Sequence, residues 1–123
     1  MEVWQMAMSF VEDVYRIVRT FPQEERFALS DQLRRAAVSV PSNIAEGFGR
    51  DSSNDFAHFL SMARGSLFEV GTQLEIAARL GYYAPDGSLQ DKAVRISKML
   101  TSLTRSVREA APQARQPRRP RNT

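Results

Sequence analysis

The sequence of 123 residues contains no cysteine and a single histidine, His58. Without cysteine the chain can form no disulfide, thiolate zinc site or cysteine nucleophile, and one histidine cannot build a histidine metal cluster. No run of 18 apolar residues is present, so we expect no membrane-spanning helix. The segment Met1-Glu-Val-Trp-Gln-Met6 lacks the cationic start of a secretory signal. These absences predict a cytoplasmic protein.

Motifs for catalysis and cofactor binding are missing as well. The sequence Gly47-Phe-Gly49 has neither the third glycine nor the preceding strand of a dinucleotide loop, and no Walker sequence occurs. Neighbouring carboxylates such as Glu12 and Asp13 point apart on a helix, and no serine stands beside a candidate base. We therefore expect no enzyme activity, no catalytic residue, no metal and no cofactor.

The formal net charge of +3 is unevenly distributed along the chain. Residues 112–123 contain four arginines, three prolines and no acid, while residues 1–111 hold 13 basic and 14 acidic side chains, a net of −1. The sequence thus predicts one domain over 1–111 and a disordered tail over 112–123. The tail arginines, which are Arg115, Arg118, Arg119 and Arg121, suit an arm that contacts nucleic acid. A solvated end without a partner is the alternative interpretation.

Apolar residues at 3-4 spacing predict four helices. The first helix covers about Val3 to Thr20, and the second starts near Gln23 or Leu29 and ends at Phe48. The third opens with the capping-box pair Ser52 and Asp55 and closes at Gly81, and the fourth opens with the similar pair Ser88 and Asp91. Gly47 and Gly49 are expected to take the left-handed conformation at the end of the second helix. Short connections favour an antiparallel up-down-up-down four-helix bundle, an all-α fold.

Several apolar residues fall outside the predicted core stripes of this bundle. They are Trp4, Met6 and Met8 on the first helix and Met62, Phe68 and Ile76 on the third. Single apolar residues on a surface are ordinary, but a group of them on two helices favours a second buried face, such as a subunit contact. We expect a closed homo-oligomer, with surface scatter as the alternative.

The second helix contains a proline, Pro41, within its apolar stripe. An interior proline lacks the N–H group that a helix needs and costs about 3 kcal/mol. Ser39, Ser42 and Asn43 surround it and can satisfy the freed backbone groups. The pattern predicts a helix that bends near Pro41.

The segment Leu33-Arg-Arg-Ala-Ala-Val-Ser-Val-Pro-Ser-Asn-Ile-Ala-Glu-Gly-Phe-Gly-Arg50 resembles the signature of the four-helix bundle proteins encoded by intervening sequences in bacterial 23S rRNA genes. Two further segments, 59–69 and 72–82, resemble the third helix of that family. The accessory variability determinant protein of diversity-generating retroelements is similar in fold. The resemblance implies a homopentamer that binds nucleic acid, and in the retroelement case a reverse transcriptase. This chain departs from the family at Gly71, where an acidic residue is common.

The signature contributes a polar strip to the second helix. Its residues are Arg35, Ser39, Ser42, Asn43, Glu46 and Arg50, and Glu69 and Gln73 form a corresponding strip on the third helix. The structural residues of the signature are Arg35, Pro41, Ser42, Asn43, Glu46, Gly47 and Glu69. If the strips face each other, Glu46 and Glu69 can pair with Arg35, Arg50 or Arg64. The strip then serves either as a recognition surface or as a hydrogen-bonded network that fixes helix register.

The fourth helix carries most of the cations within the predicted domain. Lys92, Arg95, Lys98, Arg105 and Arg108 lie off its apolar stripe, where we expect them to face solvent. Phosphate contact without base readout is the binding mode that this pattern favours, because no aromatic residue interleaves with the cations. The alternative is an ordinary solvated face whose positive charge balances acids on neighbouring helices. Two functions stay open: an oligomeric binding module for RNA or DNA, and a protein scaffold whose partners are its own copies or another protein.

Overall fold

The computed structural model describes residues 1–110, and the tail predicted over 112–123 lies outside them. Four helices account for most of this part: α1, Glu2–Val18; α2, Leu29–Phe48; α3, Ser53–Arg79; and α4, Ser88–Ala110. A short 3₁₀ turn, Gln23–Glu25, precedes α2. No strand occurs within residues 1–110, so the prediction of an all-α chain is confirmed.

The helices form a four-helix bundle in which each helix packs against its neighbours in sequence and α1 also packs against α4. This order, with short connections, is that of an up-down-up-down bundle. Every helix contributes an apolar stripe to one core, although Phe48, which ends the stripe predicted for α2, is 67% exposed. The largest fully buried side chains are Phe10, Val14, Leu33, Val40, Ile44, Leu60, Val70, Ile96 and Leu100. Trp4 and Met6, which we expected outside the core, are partly buried against it.

Two of the predicted helix boundaries are confirmed by side-chain and backbone geometry. The Ser52 hydroxyl accepts a hydrogen bond from the Asp55 backbone N–H at 3.0 Å, which caps the start of α3. Gly81 follows α3 with a positive φ of 79°, a conformation that favours glycine. The other predicted cap is wrong. At the start of α4, the cap is provided by Asp86 and not by the pair Ser88 and Asp91. A carboxylate oxygen of Asp86 accepts a hydrogen bond from the Ser88 backbone N–H at 2.9 Å.

The prediction of a left-handed glycine after α2 is also wrong. Gly49 has a φ of −84°, and Gly47 lies inside the helix. The need for glycine at position 47 is steric, because a Cβ atom there would lie 2.7 Å from the Phe59 Cβ and 3.1 Å from Phe56 Cδ1. Gly47 therefore allows the end of α2 to approach α3 closely, and this contact positions the signature segment.

Helix α2 continues through Pro41, which is buried in the core. The Asn43 side-chain amide donates to the Ser39 backbone carbonyl at 2.8 Å, two residues before the proline. The carbonyl that Pro41 leaves without its helical donor is that of Ala37, four residues back. The Asn43 amide bonds a different carbonyl, so the prediction that polar side chains satisfy the freed group stays a prediction. A bend near Pro41 stays a prediction.

Candidate nucleic-acid interface

The outer face of α4 carries four exposed cations. Arg95, Lys98, Arg105 and Arg108 form no ion pair within the described residues. Two of them, Lys98 and Arg105, are seven residues apart, or about two helical turns, and so point in nearly the same direction. The helix begins after a glycine turn and runs 23 residues. At 3.6 residues per turn, Arg95 and Arg108 lie about 140° apart around the helix axis, so the four cations spread over one broad face.

Lys92, the first cation of α4, has a different environment from the one that we expected. Its Nζ lies 2.6 Å from an Asp13 carboxylate oxygen and donates to the Ser9 hydroxyl at 2.8 Å, both on α1. Its side chain is only 28% exposed. The expectation that Lys92 faces solvent is therefore wrong. Lys92 fits the alternative in which a cation of α4 balances an acid on a neighbouring helix, because the bundle brings α1 against α4 at this point. Lys92 connects the two helices and is a poor candidate for phosphate contact.

The pKa of the Asp13 carboxyl reflects this pair. Partial burial raises the pKa, but hydrogen bonds from Lys92 and Arg16 and the two positive charges lower it, and the net pKa lies below the ordinary value. The carboxylate is thus held in its ionised form between two cations.

Four of the predicted nucleic-acid-binding arginines, Arg115, Arg118, Arg119 and Arg121, lie outside the described residues. They follow α4 directly in sequence. Their part in binding stays a prediction.

The polar residues of the signature form a network between α2 and α3. The hydroxyls of Ser39 and Ser66 hydrogen-bond to each other across the two helices. The Asn43 amide donates to the Ser39 hydroxyl at 3.3 Å in addition to the Ser39 carbonyl. Ser42 is exposed and, within residues 1–110, makes no side-chain hydrogen bond. This part of the strip favours the interpretation of a register-fixing network.

The charged members of the polar strips pair mostly within their own helices. Arg35 pairs with Asp31 at 2.9 Å rather than with an acid of α3. Glu46 pairs with Arg50 at 2.8 Å, one of the partners that the sequence suggested. Glu69 accepts from the Gln73 amide at 3.3 Å instead of from an arginine. Because these ion pairs are exposed and local, they add little to the contact between helices.

Arg50 and Arg64 each contact an aromatic ring. The Arg50 guanidinium carbon lies 4.7 Å from the Phe59 ring centroid, and that of Arg64 lies 4.9 Å from the Phe68 ring centroid. Such cation–π contacts hold a guanidinium in place while its in-plane N–H groups stay available. Arg64 lies on α3 and is not among the residues that the sequence indicated for phosphate contact. Its proximity to α4 is a property of the bundle that helical spacing alone does not show.

An apolar groove of about 750 Å³ lies between α3 and the first half of α4. Phe68, Ile76 and Val94 line it, and their side chains are 53%, 43% and 51% exposed. Gly71 also lines the groove, and a Cβ atom there would meet no atom within 4 Å. Two of the off-core residues singled out in the sequence thus share one surface, to which α4 adds Val94.

Metal and membrane features are absent from the described part of the chain. Residues 1–110 hold no group of three or more histidine, cysteine or carboxylate side chains that could bind a metal ion. None of the four helices is long and apolar enough to cross a membrane.

The fold and the site define a class of protein: a small four-helix bundle with a cationic helix face and an apolar groove beside it. The chain belongs to the 23S rRNA-intervening sequence protein family, whose model matches residues 1–102. The solved structure of a protein of unknown function from the S23 ribosomal protein family of Bacteroides thetaiotaomicron is similar, with a TM-score of 0.77. The two chains are 24% identical, over 84% of this chain and 95% of that one, so the likeness concerns the fold. No curated protein matches the chain.

Proposed function

We propose that this protein is a non-enzymatic, homo-oligomeric four-helix bundle that binds the phosphate backbone of RNA or DNA through the outer face of α4. The observation that carries the proposal is the row of exposed cations on α4, Arg95, Lys98, Arg105 and Arg108, which have no acidic partner within residues 1–110. Acids elsewhere neutralise Lys92, Arg35, Arg50 and Arg79, but not these four.

The length of the row suits a polyanion. Arg95 and Arg108 are separated by 13 residues, or roughly 20 Å along the helix axis. Duplex DNA carries one negative charge per about 1.7 Å of its axis, so about a dozen phosphates lie along that distance. Repetition of α4 in a closed oligomer would multiply the positive potential. Binding of this kind reads the backbone and not the sequence.

A salt series tests the proposal. Binding to generic RNA and to duplex DNA is measured by fluorescence anisotropy between 50 and 200 mM salt, concentrations at which phosphate binding changes steeply. If three cations of one protomer contact duplex phosphates, the plot of log K against log salt has a slope of about −2.7. Binding that is absent at 50 mM salt, or that does not weaken with salt, would refute nucleic acid as the partner.

A pair of charge reversals locates the site. Arg95→Glu with Lys98→Glu removes two α4 contacts and should flatten the duplex slope by about two units. The control is Arg19→Glu with Arg26→Glu, which makes the same charge change at the connection after α1, where both residues are also exposed. Lys92 is left intact, because its reversal would place a second negative charge beside Asp13. Equal losses for the two double variants would show that net charge, and not α4, governs binding.

Removal of residues 112–123 tests the tail separately. If the tail arginines add phosphate contacts, the truncated chain binds more weakly and with a flatter salt slope than the parent. We expect a smaller loss than for the α4 reversals, since a segment without apolar residues pays an ordering entropy when it binds. A loss larger than that of the α4 reversals would assign the binding to the tail.

The apolar groove favours a second candidate function, a protein scaffold assembled from copies of this chain. Phe68, Ile76 and Val94 are the exposed apolar residues that a subunit or partner helix would cover. A pentamer, which the family resemblance implies, would have five times the chain mass of 13.9 kDa, about 70 kDa. This candidate function includes a partner protein as well. The resemblance to the retroelement accessory protein implies that such a partner would be a reverse transcriptase.

Light scattering at micromolar protein in moderate salt tests the assembly. We expect the parent to be oligomeric and Phe68→Ser to dissociate. Phe27→Ser is the matched control, since Phe27 is also exposed and also lies under an arginine, Arg26, at 5.0 Å. A monomeric parent would contradict the oligomer, and dissociation by the control alone would place the contact elsewhere.

A further inference from the structure

A polar pocket of about 460 Å³ lies between α3 and the second half of α4, separate from the apolar groove. Arginine and hydroxyl side chains line it from both helices. They are Ser61 and Arg64 on α3 and Thr101, Thr104, Arg105 and Arg108 on α4.

The spacing of these residues along α3 and α4 places their side chains around the same pocket. Ser61 and Arg64 are three residues apart on α3, and Arg105 and Arg108 are three apart on α4, so each pair occupies one helix face. The two faces oppose each other across the pocket. Arg64 is further restrained by the Phe68 ring, 4.9 Å from its guanidinium carbon.

The donors in the pocket are not committed to protein partners. The three arginines form no ion pair within residues 1–110, and the Ser61 and Thr101 hydroxyls make no hydrogen bond there. Thr104 differs, because its hydroxyl donates its proton to the Leu100 carbonyl oxygen at 2.7 Å. The Thr104 hydroxyl can therefore only accept a hydrogen bond from a ligand. Five donor-bearing side chains thus converge on a space that is large enough for a phosphate group.

We infer that this pocket binds the terminal phosphate monoester of a nucleic acid strand. Charge favours a monoester over the diesters of the backbone. Three guanidinium groups and the one carboxylate of the pocket, Glu109, leave two net positive charges. A monoester carries about −1.5 to −2 at pH 7, and arginine pairs with such oxygens in bidentate fashion. The inference rests on the proposed function, because it assumes that the strand itself lies on α4.

The test compares one oligonucleotide in three forms: with a 5′-phosphate, with a 3′-phosphate, and with hydroxyls at both ends. An internal fluorophore reports anisotropy at fixed salt. We expect the parent to bind one phosphorylated form on the order of tenfold more tightly than the hydroxyl form, as a charge-assisted contact allows. Equal affinity for the three forms would overturn the inference and leave the proposed function intact.

Substitutions in the pocket make the test specific. Arg64→Gln should abolish the preference and leave the affinity for the hydroxyl form nearly unchanged, because Arg64 is not on the α4 row. Arg64→Lys should recover only part of the preference, since lysine keeps the charge without the fork of donors. The matched control, Arg95→Gln, removes one charge outside the pocket and should weaken the three forms equally. A preference that survives Arg64→Gln would refute the assignment to this pocket.

A second readout separates a strand end from free phosphate. Phosphorus NMR follows inorganic phosphate and a nucleoside 5′-monophosphate in the presence of the parent and of Arg64→Gln. We expect both small anions to bind the parent weakly, and Arg64→Gln to reduce that binding. If they bind as tightly as the phosphorylated strand, the pocket is a site for free phosphate and the strand-end assignment is wrong. If no oligonucleotide form binds, the proposed function fails, and the inference fails with it.

Discussion

Replacement of Gly47 by alanine offers the sharpest test of how α2 and α3 pack. Alanine is the better helix residue, and on propensity alone the change should stabilise the protein by about 0.5–1 kcal/mol. The added Cβ would lie 2.7 Å from the Phe59 Cβ and 3.3 Å from the Phe56 backbone oxygen. Neither atom is the movable end of a flexible side chain, so the helices themselves must shift.

The steric effect should outweigh the gain in propensity. Overpacking in a well-packed core costs about 1–3 kcal/mol. The sum predicts that Gly47→Ala lowers the free energy of unfolding by about 1–2 kcal/mol, or the melting temperature by several degrees for a domain of this size. The sign, opposite to the usual effect of alanine in a helix, is the distinctive part of the prediction.

Gly65→Ala is the matched control for this experiment. Gly65 is exposed inside α3, and a Cβ atom there would meet nothing within 4 Å. We expect this variant to be more stable than the parent by about 0.5–1 kcal/mol. Urea unfolding at one fixed protein concentration compares the three proteins, because assembly would make stability depend on concentration. If Gly47→Ala is as stabilising as Gly65→Ala, the close approach of α2 and α3 does not constrain the fold.

Two further predictions concern polar contacts between helices and around the proline. Asp13→Asn should destabilise the protein by about 1 kcal/mol at pH 7. The pKa of the Asp13 carboxyl in the folded protein lies below the ordinary 3.8, so its contribution to stability is fully present above that value. The contribution is lost as the pH falls through the folded-state pKa. Unfolding curves of the two proteins should therefore converge in acid, and a constant difference down to pH 2 would contradict the assignment. Asn43→Ala should cost about 1 kcal/mol in urea unfolding, while the exposed Ser42→Ala should change little, and equal effects would argue against the network.

The helices and the fold class follow closely from the sequence, because the 3-4 spacing of apolar residues is a local signal that holds wherever a helix buries one face. Leu60, Leu67 and Leu74 mark the buried side of α3. The Ser52 cap was equally predictable, since its hydrogen bond joins residues only three apart. The cap at the start of α4 was less predictable, because either Asp86 or Ser88 could accept the capping hydrogen bond from a backbone N–H of the helix.

The candidate site was predictable only in part. Arg95, Lys98, Arg105 and Arg108 are on the exposed face that the helical period assigns to them. Lys92 borders the apolar stripe, about 60° from its middle, whereas the other four lie farther round the helix. The helical period places Lys92 at the edge of the core, but it does not show that Asp13, 79 residues away on α1, meets it there.

The sequence alone indicates which residues form helices, which side of each helix is apolar, and that the chain has neither a cysteine thiol nor a histidine cluster. These are properties of residue type and of spacing within one element. The contacts between helices follow only from how the helices pack: the steric need for Gly47 against Phe59, the neutralisation of Lys92 by Asp13, and the position of Arg64 beside Arg105 and Arg108. Those contacts depend on the rotation and axial register of one helix against another, which are fixed by packing over the whole core rather than by any single segment.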